Sequence, residues 1–295
     1  VAVRLIVERE REINQFVPEG SYRVNAIFNT FDIAGKPVQL KAELNQRFAT
    51  KTEAVAFLET CKKSNFEISD IVTKPAKKSP APPFTTSTLQ QEAARKLGFS
   101  VSQTMMVAQR LYESGKITYM RTDSVNLSSL AINTTKAEII SMAGENYVKI
   151  RKFSNTSKGA QEAHEAIRPT YMNARTIEGN AQEKKLYELI WKRTIASQMA
   201  DAELEKTSIF INISESDLQF VASGEVIVFD GFLKVYLESS DDETDEENES
   251  ILPTVKTGEK SFVEEIVASE RFTQKPPRYS EASLVRKLEE LGIGR

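Results

Sequence analysis

The spacing of apolar residues changes twice along this chain of 295 residues, and this change limits the folds the chain can adopt. Apolar and polar residues alternate in segments of 21–72 and 207–267, whereas the apolar residues of several segments between positions 87 and 199 recur at helical spacing. Alternation predicts strands with one buried face, and the wider spacing predicts helices. We expect the early and late strands to join in one β domain, which gives an α+β, multidomain chain with an inserted helical block.

The predicted elements can be placed on the sequence. The strand segments are SYRVNAIF (21–28), PVQLKAEL (37–44), FEISDIV (66–72), SIFINI (208–213), LQFVAS (218–223), EVIVF (225–229), LKVYL (233–237) and KSFVEEIV (260–267), with Asp230-Gly231 as a tight turn. Helices are predicted at 2–15, 52–62, 87–98, 102–114, 128–143 and 182–199 and after Ser280, and Ser87-Thr88-Leu89-Gln90 fits a capping box. Helix, turn, helix and strand in succession resemble a winged-helix unit, although paired helices are common in many folds.

Two segments have unusual compositions. Residues 73–84, TKPAKKSPAPPF, are rich in proline and lysine, which predicts a linker at a domain boundary. Residues 238–250, ESSDDETDEENES, carry eight acidic residues and no basic one. Without those eight charges, the net charge of −3 becomes +5. The acidic run is expected to be solvated, poorly ordered and dispensable for folding, because it has no apolar anchor.

Composition excludes several classes of protein. The single Cys61 cannot form an internal disulfide and is expected to be a buried thiol; one Cys and one His cannot build an ordinary zinc site. No apolar run reaches the roughly 18 residues of a membrane span, so no membrane partner is expected. No phosphate-binding loop, dinucleotide fingerprint, serine triad or carboxylate cluster for magnesium is evident. The first residues lack a Met and already form a helical pattern, which predicts a piece of a longer protein.

The densest polar segment is Ile117-Thr118-Tyr119-Met120-Arg121-Thr122-Asp123-Ser124. In an extended segment, residues two positions apart point the same way, so Tyr119 and Arg121 would share a face. A guanidinium favours the phenolate form of a nearby tyrosine and binds a phosphate with two hydrogen bonds. The pair therefore suits attack on a phosphodiester. A surface arginine beside a strand-end tyrosine is the simpler alternative.

Two further segments offer groups for binding phosphate. QEAHEAIRPT (161–170) holds the only histidine, and His164 and Arg168 would share a face if this segment were helical up to Pro169. The alternative is a surface histidine on an ordinary helix. In KPPRYS (275–280), Arg278 precedes the helix that Ser280 caps, and a helix N-terminus can bind phosphate. A capped surface helix without a ligand explains this segment equally well.

These three segments together resemble the bacterial type IA DNA topoisomerases, in particular topoisomerase I. ITYMRTDS is similar to that family's active-site motif, QEAHEAIRPT to its second motif and PPRYSEASLVRKLEELGIGR to its third. TSTLQQEA and MMVAQRLYESGKI also match in order and spacing, so the resemblance covers essentially the whole chain. Met120 favours topoisomerase I, because topoisomerase III tends to have proline there.

The resemblance implies a toroidal enzyme with a hole for duplex DNA. Residues 16–78 and 206–278 would form its β arch, and residues 79–205 the winged-helix-like domain that carries the catalytic tyrosine. Residues 1–15 and 279–295 would be two pieces of the helical domain that binds the single strand. The family's Toprim domain and its C-terminal modules have no counterpart in this sequence.

The resemblance also implies the chemistry. Tyr119 would attack and become joined to a 5′-phosphate, Arg121 would hold the scissile phosphate, His164 would assist catalysis and Asp123 would orient Arg121 or His164. The expected DNA-binding residues are Arg4, Arg121, Arg168, Arg278 and Arg295. Magnesium is expected in the full-length enzyme through the Toprim domain, with none bound by this chain.

Single-stranded DNA is the expected partner, and the protein is expected to be a cytoplasmic, nucleoid-associated monomer. A non-catalytic module that binds single-stranded DNA is the main alternative. A tyrosine recombinase fits less well, because its chemistry uses several arginines and histidines in another arrangement.

Overall fold

A computed structural model of the chain describes residues 1–153, 165–236 and 252–293. The helices are α1 (Ala2–Gln15), α2 (Lys51–Cys61), α3 (Thr86–Leu97), α4 (Val101–Glu113), α5 (Ser129–Ala143), α6 (Ala181–Ser197) and α7 (Glu281–Glu290). The strands are β1 (Gly20–Phe31), β2 (Pro37–Leu44), β3 (Phe66–Lys78), β4 (Ala202–Ile213), β5 (Ser216–Phe229) and β6 (Lys260–Phe272). Three predictions lie outside the described residues: the order of the acidic segment 238–250 and the roles of His164 and Arg295.

The described strands form one closed antiparallel barrel in the order β1-β2-β5-β4-β3-β6. Strands from before and after the helical block therefore share one barrel, as the change of spacing predicts. Alternate residues of β1 point inward, so that Val24, Ala26 and Phe28 are buried. Cys61 of α2 packs against the same core, and burial raises the pKa of its thiol to about 11.

Aromatic rings occupy the centre of the barrel. The ring of Phe28 lies 5.2 Å from that of Phe66 and 5.3 Å from that of Phe220, measured between centroids. Phe28 has no exposed surface, whereas Phe31 on the same strand is 43% exposed. This pair of phenylalanines permits a matched test of how much the barrel core contributes.

We expect Phe28→Ala to lower the free energy of unfolding by about 3–5 kcal/mol, because it removes a buried ring and leaves a cavity. Phe31→Ala should cost no more than about 1 kcal/mol, as is usual for a surface change. Urea denaturation followed by circular dichroism measures both. Equal losses in the two variants would contradict the assignment of Phe28 to the core.

The predicted linker at 73–84 is wrong in its first half. Residues 73–78 continue β3, which pairs with β4 up to the partners Lys78 and Ala202. Beyond Glu67, β3 pairs only with β4 among the described strands. No described strand on its other edge needs a hydrogen bond from the backbone nitrogen of Pro75. A proline is tolerated on such an edge. Irregular chain is therefore confined to the residues between Lys78 and α3.

The predicted strand LKVYL (233–237) is also wrong over its described residues. Gly231–Lys234 form a short 3₁₀ helix, and Asp230 precedes it instead of starting a hairpin. Gly231 has φ +48°, and a Cβ there would lie 2.3 Å from the carbonyl oxygen of Asp201. The turn buries Phe232 and Tyr236 in the core of the helical block. This burial stabilises the turn more than the alternating sequence would stabilise a strand.

The helices lie within one or two residues of the predicted bounds. The N-cap of α3 is Thr85, which forms a capping box with Thr88, so the predicted box at residues 87–90 is wrong by two positions. Gly98 ends α3 in the left-handed conformation, as expected. The strand expected after α4 is absent, since residues 118–128 contain neither helix nor strand. Within the described part of the chain, no helix is long and apolar enough to cross a membrane.

The two ends of the chain meet beside the helical block. The guanidinium of Arg9 in α1 lies 4.5 Å from the ring of Tyr279 and donates to the carbonyl oxygen of Pro277. Helix α7 packs on α3, where Gln91 donates to Glu289. The carboxylate of Glu281 accepts a hydrogen bond from the amide of Val101 at the start of α4.

Candidate active site around Tyr119

Tyr119 lies in the irregular segment that follows α4. Gly115 adopts φ +69° just after the helix, and the amide of Lys116 closes the turn by donating to Leu111. Burial then alternates: Met120, Thr122 and Ser124 are buried, whereas Tyr119 is 45% exposed and Arg121 is also exposed. Both candidate groups are therefore accessible to solvent, on a segment whose intervening side chains are packed inward.

Neither the Tyr119 hydroxyl nor the Arg121 guanidinium binds another polar group among the described residues. Among the described residues, Arg121 forms no hydrogen bond or ion pair, and the Tyr119 hydroxyl likewise has no partner there. No hydrogen bond joins Tyr119 to Arg121. The ring of Tyr119 packs edge-on against that of Tyr112, with centroids 5.2 Å apart. The phenolic oxygen and the guanidinium are therefore both available to a ligand such as a phosphate.

A threonine on one side of Tyr119 ties it to the second motif. The Thr118 hydroxyl donates to the carbonyl oxygen of Ala166 at 2.7 Å and accepts from the amide of Arg168 at 2.9 Å. The amide of Thr118 donates to the carbonyl oxygen of Arg168, and Ile117 pairs with Pro169. Residues 166–169 of the second motif thus run antiparallel beside the candidate nucleophile.

This pairing shows that the second motif is not helical over residues 165–170. Pro169 disfavours helical geometry at the preceding residue, and Ile167 pairs with Phe84 on the other side. The helical argument for placing His164 and Arg168 on one face is therefore wrong. Arg168 still lies next to Tyr119 through its main chain.

The side chain of Arg168 is mostly buried and bound to a carboxylate. Its Nη2 donates to Glu165 at 2.6 Å, and its Nη1 donates to the carbonyl oxygen of Pro169 at 2.8 Å. Glu165 also accepts from the amide of Ser128 at the start of α5. Burial acts to raise the pKa of Glu165, but the hydrogen bonds from Ser128 and Arg168 outweigh it and lower that pKa. Contact between Arg168 and phosphate stays a prediction.

A second threonine holds the segment on the side of Arg121. The Thr86 hydroxyl, at the start of α3, donates to the carbonyl oxygen of Met120 and accepts from the amide of Thr122, both at 2.8 Å. The amide of Thr86 donates to the carbonyl oxygen of Thr122 at 2.9 Å. Sequence reasoning missed Thr86 and the anchoring role of Thr118. The only signal is the run of hydroxyl residues at 85–88, of which the predicted capping box included Ser87 and Thr88.

Other predicted DNA-binding residues are separate from this segment. Arg278 binds Glu10 at 2.7 Å, and this hydrogen bond raises the pKa of the Arg278 guanidinium. Arg4 binds Glu8 within α1. No hydrogen bond or ion pair in the described ranges links Arg4 or Arg278 to residues 117–124. Asp123 is half-buried, and its orienting role stays a prediction.

The donor set does not suit a metal ion. No group of three or more His, Cys, Asp or Glu residues that could hold a metal occurs in the described part of the chain. Acidic oxygen ligands are what magnesium requires. The described residues therefore do not supply the acidic ligands that a magnesium site needs.

Comparison with known proteins places this geometry in a family. The family model described as DNA topoisomerase matches residues 1–295. The chain belongs to this family. The chain is 44% identical to DNA topoisomerase 1 of Zymomonas mobilis, and the match covers all of this chain and 25% of that protein. A DNA topoisomerase 1 of prokaryotic type from Acanthamoeba polyphaga mimivirus is also 44% identical, with 38% of its length covered.

A solved structure of the family supports the same assignment. The full-length topoisomerase I from Thermotoga maritima matches this fold with a TM-score of 0.78 at 36% sequence identity. The match covers all of this chain and 48% of that chain. The resemblance drawn from the three motifs is confirmed. The chain spans less than half the length of the relatives it matches, so the activity of the whole protein is a proposal.

Proposed function

We propose that the protein containing this chain is a type IA DNA topoisomerase that relaxes negatively supercoiled DNA without ATP, with Tyr119 as its nucleophile. The observation that carries this proposal is the accessible pair Tyr119 and Arg121 on a segment held from both sides. Membership of the topoisomerase family supports this proposal and does not favour the alternative of a non-catalytic DNA-binding module.

The reaction exchanges one phosphodiester for another. The phenolic oxygen of Tyr119 attacks the phosphorus, and the bond between phosphorus and the 3′ oxygen of the preceding sugar breaks. The phenol loses its proton, and the departing sugar oxygen takes up a proton. The tyrosine is then joined to the 5′-phosphate. Because the bond formed resembles the bond broken, the reverse attack can reseal the strand without another energy source.

Arg121 acts as the phosphate ligand in this scheme. A guanidinium binds two oxygens of one phosphate through paired hydrogen bonds, and it stabilises the negative charge that develops during the attack. Its lack of a partner among the described residues leaves it available for this role. His164 and Arg168 would assist phosphate binding or proton movement, and Asp123 would orient Arg121 or His164.

The larger assembly is proposed from the family. Residues 16–78 and 206–278 would form the arch, residues 79–205 the domain that carries the tyrosine, and residues 1–15 and 279–295 two pieces of the domain that binds the single strand. Contacts between α1 and residues 277–279 support the last pairing. Magnesium would be bound by the Toprim domain, outside this chain. Opening of the arch while the strand is broken would let another strand pass.

Trapping the adduct in the full-length protein tests the proposal. Single-stranded oligonucleotides labelled at either end are mixed with protein and magnesium, and the reaction is stopped with detergent. The 3′-labelled fragment should migrate with the protein and the 5′-labelled fragment should be released, because the tyrosine takes the 5′-phosphate. Retention of the opposite label, or of neither, would refute the proposed function.

We further expect that the 295-residue chain alone will not relax supercoiled plasmid in the presence of magnesium. The described residues hold no cluster of carboxylates for the metal. Adding the Toprim portion as a separate protein should restore activity if the two associate. Robust relaxation by the chain alone would show that it already contains a complete site.

A further inference from the structure

We propose that Thr86 is a positioning residue for the cleavage step, fixing the direction of Arg121 through the backbone on both of its sides. The proposal rests on the function proposed above. Thr86 does not reach the reacting atoms in this scheme. It acts through the main chain of Met120 and Thr122, the two neighbours of the phosphate ligand.

The contacts of Thr86 enclose a single residue. Its hydroxyl donates to the carbonyl oxygen before Arg121 and accepts from the amide after it, both at 2.8 Å. Its own amide donates to the carbonyl oxygen of Thr122. Residues 118–128 have no helix or strand to fix them, so these bonds replace a regular ladder. The backbone at Arg121 is held at both of its peptide units.

Helix capping does not account for the Thr86 side chain. The capping of α3 is carried out by Thr85, whose hydroxyl accepts from the amide of Thr88. Thr86 is the first residue of the helix, where the amide has no partner within the helix. Its amide and hydroxyl are both directed to residues 120–122. Two adjacent threonines therefore have separate roles, which provides a matched control.

Thr118 completes the support from the other side. Its hydroxyl links Tyr119 to residues 166–168, and the Thr86 hydroxyl links Arg121 to α3. The nucleophile and the phosphate ligand thus lie between two anchors that belong to different parts of the fold. Small misplacement of a reacting group can lower a rate by about 100-fold, so loss of one anchor should affect cleavage more than binding.

The test uses the full-length protein and single-turnover cleavage of a labelled single strand. Thr86→Val keeps the shape of the side chain and removes the hydroxyl, and Thr86→Ser keeps the hydroxyl. We expect cleavage by Thr86→Val to fall by about 10- to 100-fold with DNA affinity within about threefold of wild type. Thr86→Ser should restore most of the rate. Thr85→Val, which loses the cap, should retain more activity than Thr86→Val at equal or lower thermal stability.

A double-mutant cycle with Arg121→Lys decides whether Thr86 acts through Arg121. If it does, Thr86→Val will add little to the loss already caused by Arg121→Lys. Additive losses, or a wild-type rate in Thr86→Val, would overturn the proposal. Thr86→Ala serves in the cycle if Thr86→Val does not fold. If the wild-type protein forms no covalent adduct, the proposed function itself is refuted. Failure of this proposal and failure of the proposed function are therefore distinguishable.

Discussion

Tyr119→Phe in the full-length protein is expected to abolish the covalent adduct while leaving most of the affinity for single-stranded DNA. The substitution removes only the attacking oxygen, and the ring can keep its edge-on packing against Tyr112. Without a nucleophile the exchange of phosphodiesters cannot begin, so adduct should fall below detection. Binding depends on charges and on base stacking, which this change leaves in place.

Tyr112→Phe is the matched control for that experiment. Tyr112 is 41% exposed and its ring lies 5.2 Å from the ring of Tyr119, so it is a neighbouring phenol that could act in its place. We expect this variant to form adduct at a rate close to that of wild type. Adduct that persists in Tyr119→Phe and disappears in Tyr112→Phe would transfer the role of nucleophile to Tyr112.

Arg121→Lys should lower the rate of cleavage by about 100-fold, with a smaller loss of DNA affinity. Lysine retains the positive charge but has no planar fork that can bind two phosphate oxygens at once. Because Arg121 has no partner among the described residues, its replacement should leave the fold unchanged. Single-turnover cleavage and binding titrations at one fixed salt concentration measure the two effects.

Arg110→Lys provides the comparison for Arg121→Lys. Arg110 is an exposed arginine of α4, the helix that precedes Tyr119, and the sulfur of Met106 is the only hydrogen-bond partner of its guanidinium among the described residues. It should tolerate lysine without loss of cleavage. Wild-type rates in both variants would show that the paired geometry at Arg121 is unimportant.

The alternation of apolar and polar residues predicted most of the strands that form the barrel, although not its closure. Inward positions such as Val24 and Phe28 follow directly from alternation, because a strand in a closed sheet has one buried face. The prediction failed where tertiary contacts decided the outcome. Pro75 is accommodated because β3 has a free edge there, and Phe232 is drawn into the helical core by a turn that only glycine permits.

The candidate site divides in the same way. Chemistry and spacing make Tyr119 and Arg121 candidate groups, and the resemblance to the family supplies their predicted roles. Their support could not, because Thr86 and Thr118 act on backbone atoms that are distant in sequence. The pairing of residues 166–169 with two other segments likewise overrode a helical reading of the second motif. Backbone partners of this kind leave no periodic signature.

The pairing of Lys78 with Ala202 makes the whole helical block equivalent to the loop of a β-hairpin. Its two ends are neighbours across one rung of the barrel, as is common for domains that tolerate insertion or exchange. A short turn joining β3 to β4 should therefore give a minimal barrel protein, at the cost of exposing Ala202, Leu204, Phe232 and Tyr236. The same junction could receive the helical block of a distant relative, so that the two halves can be recombined as modules.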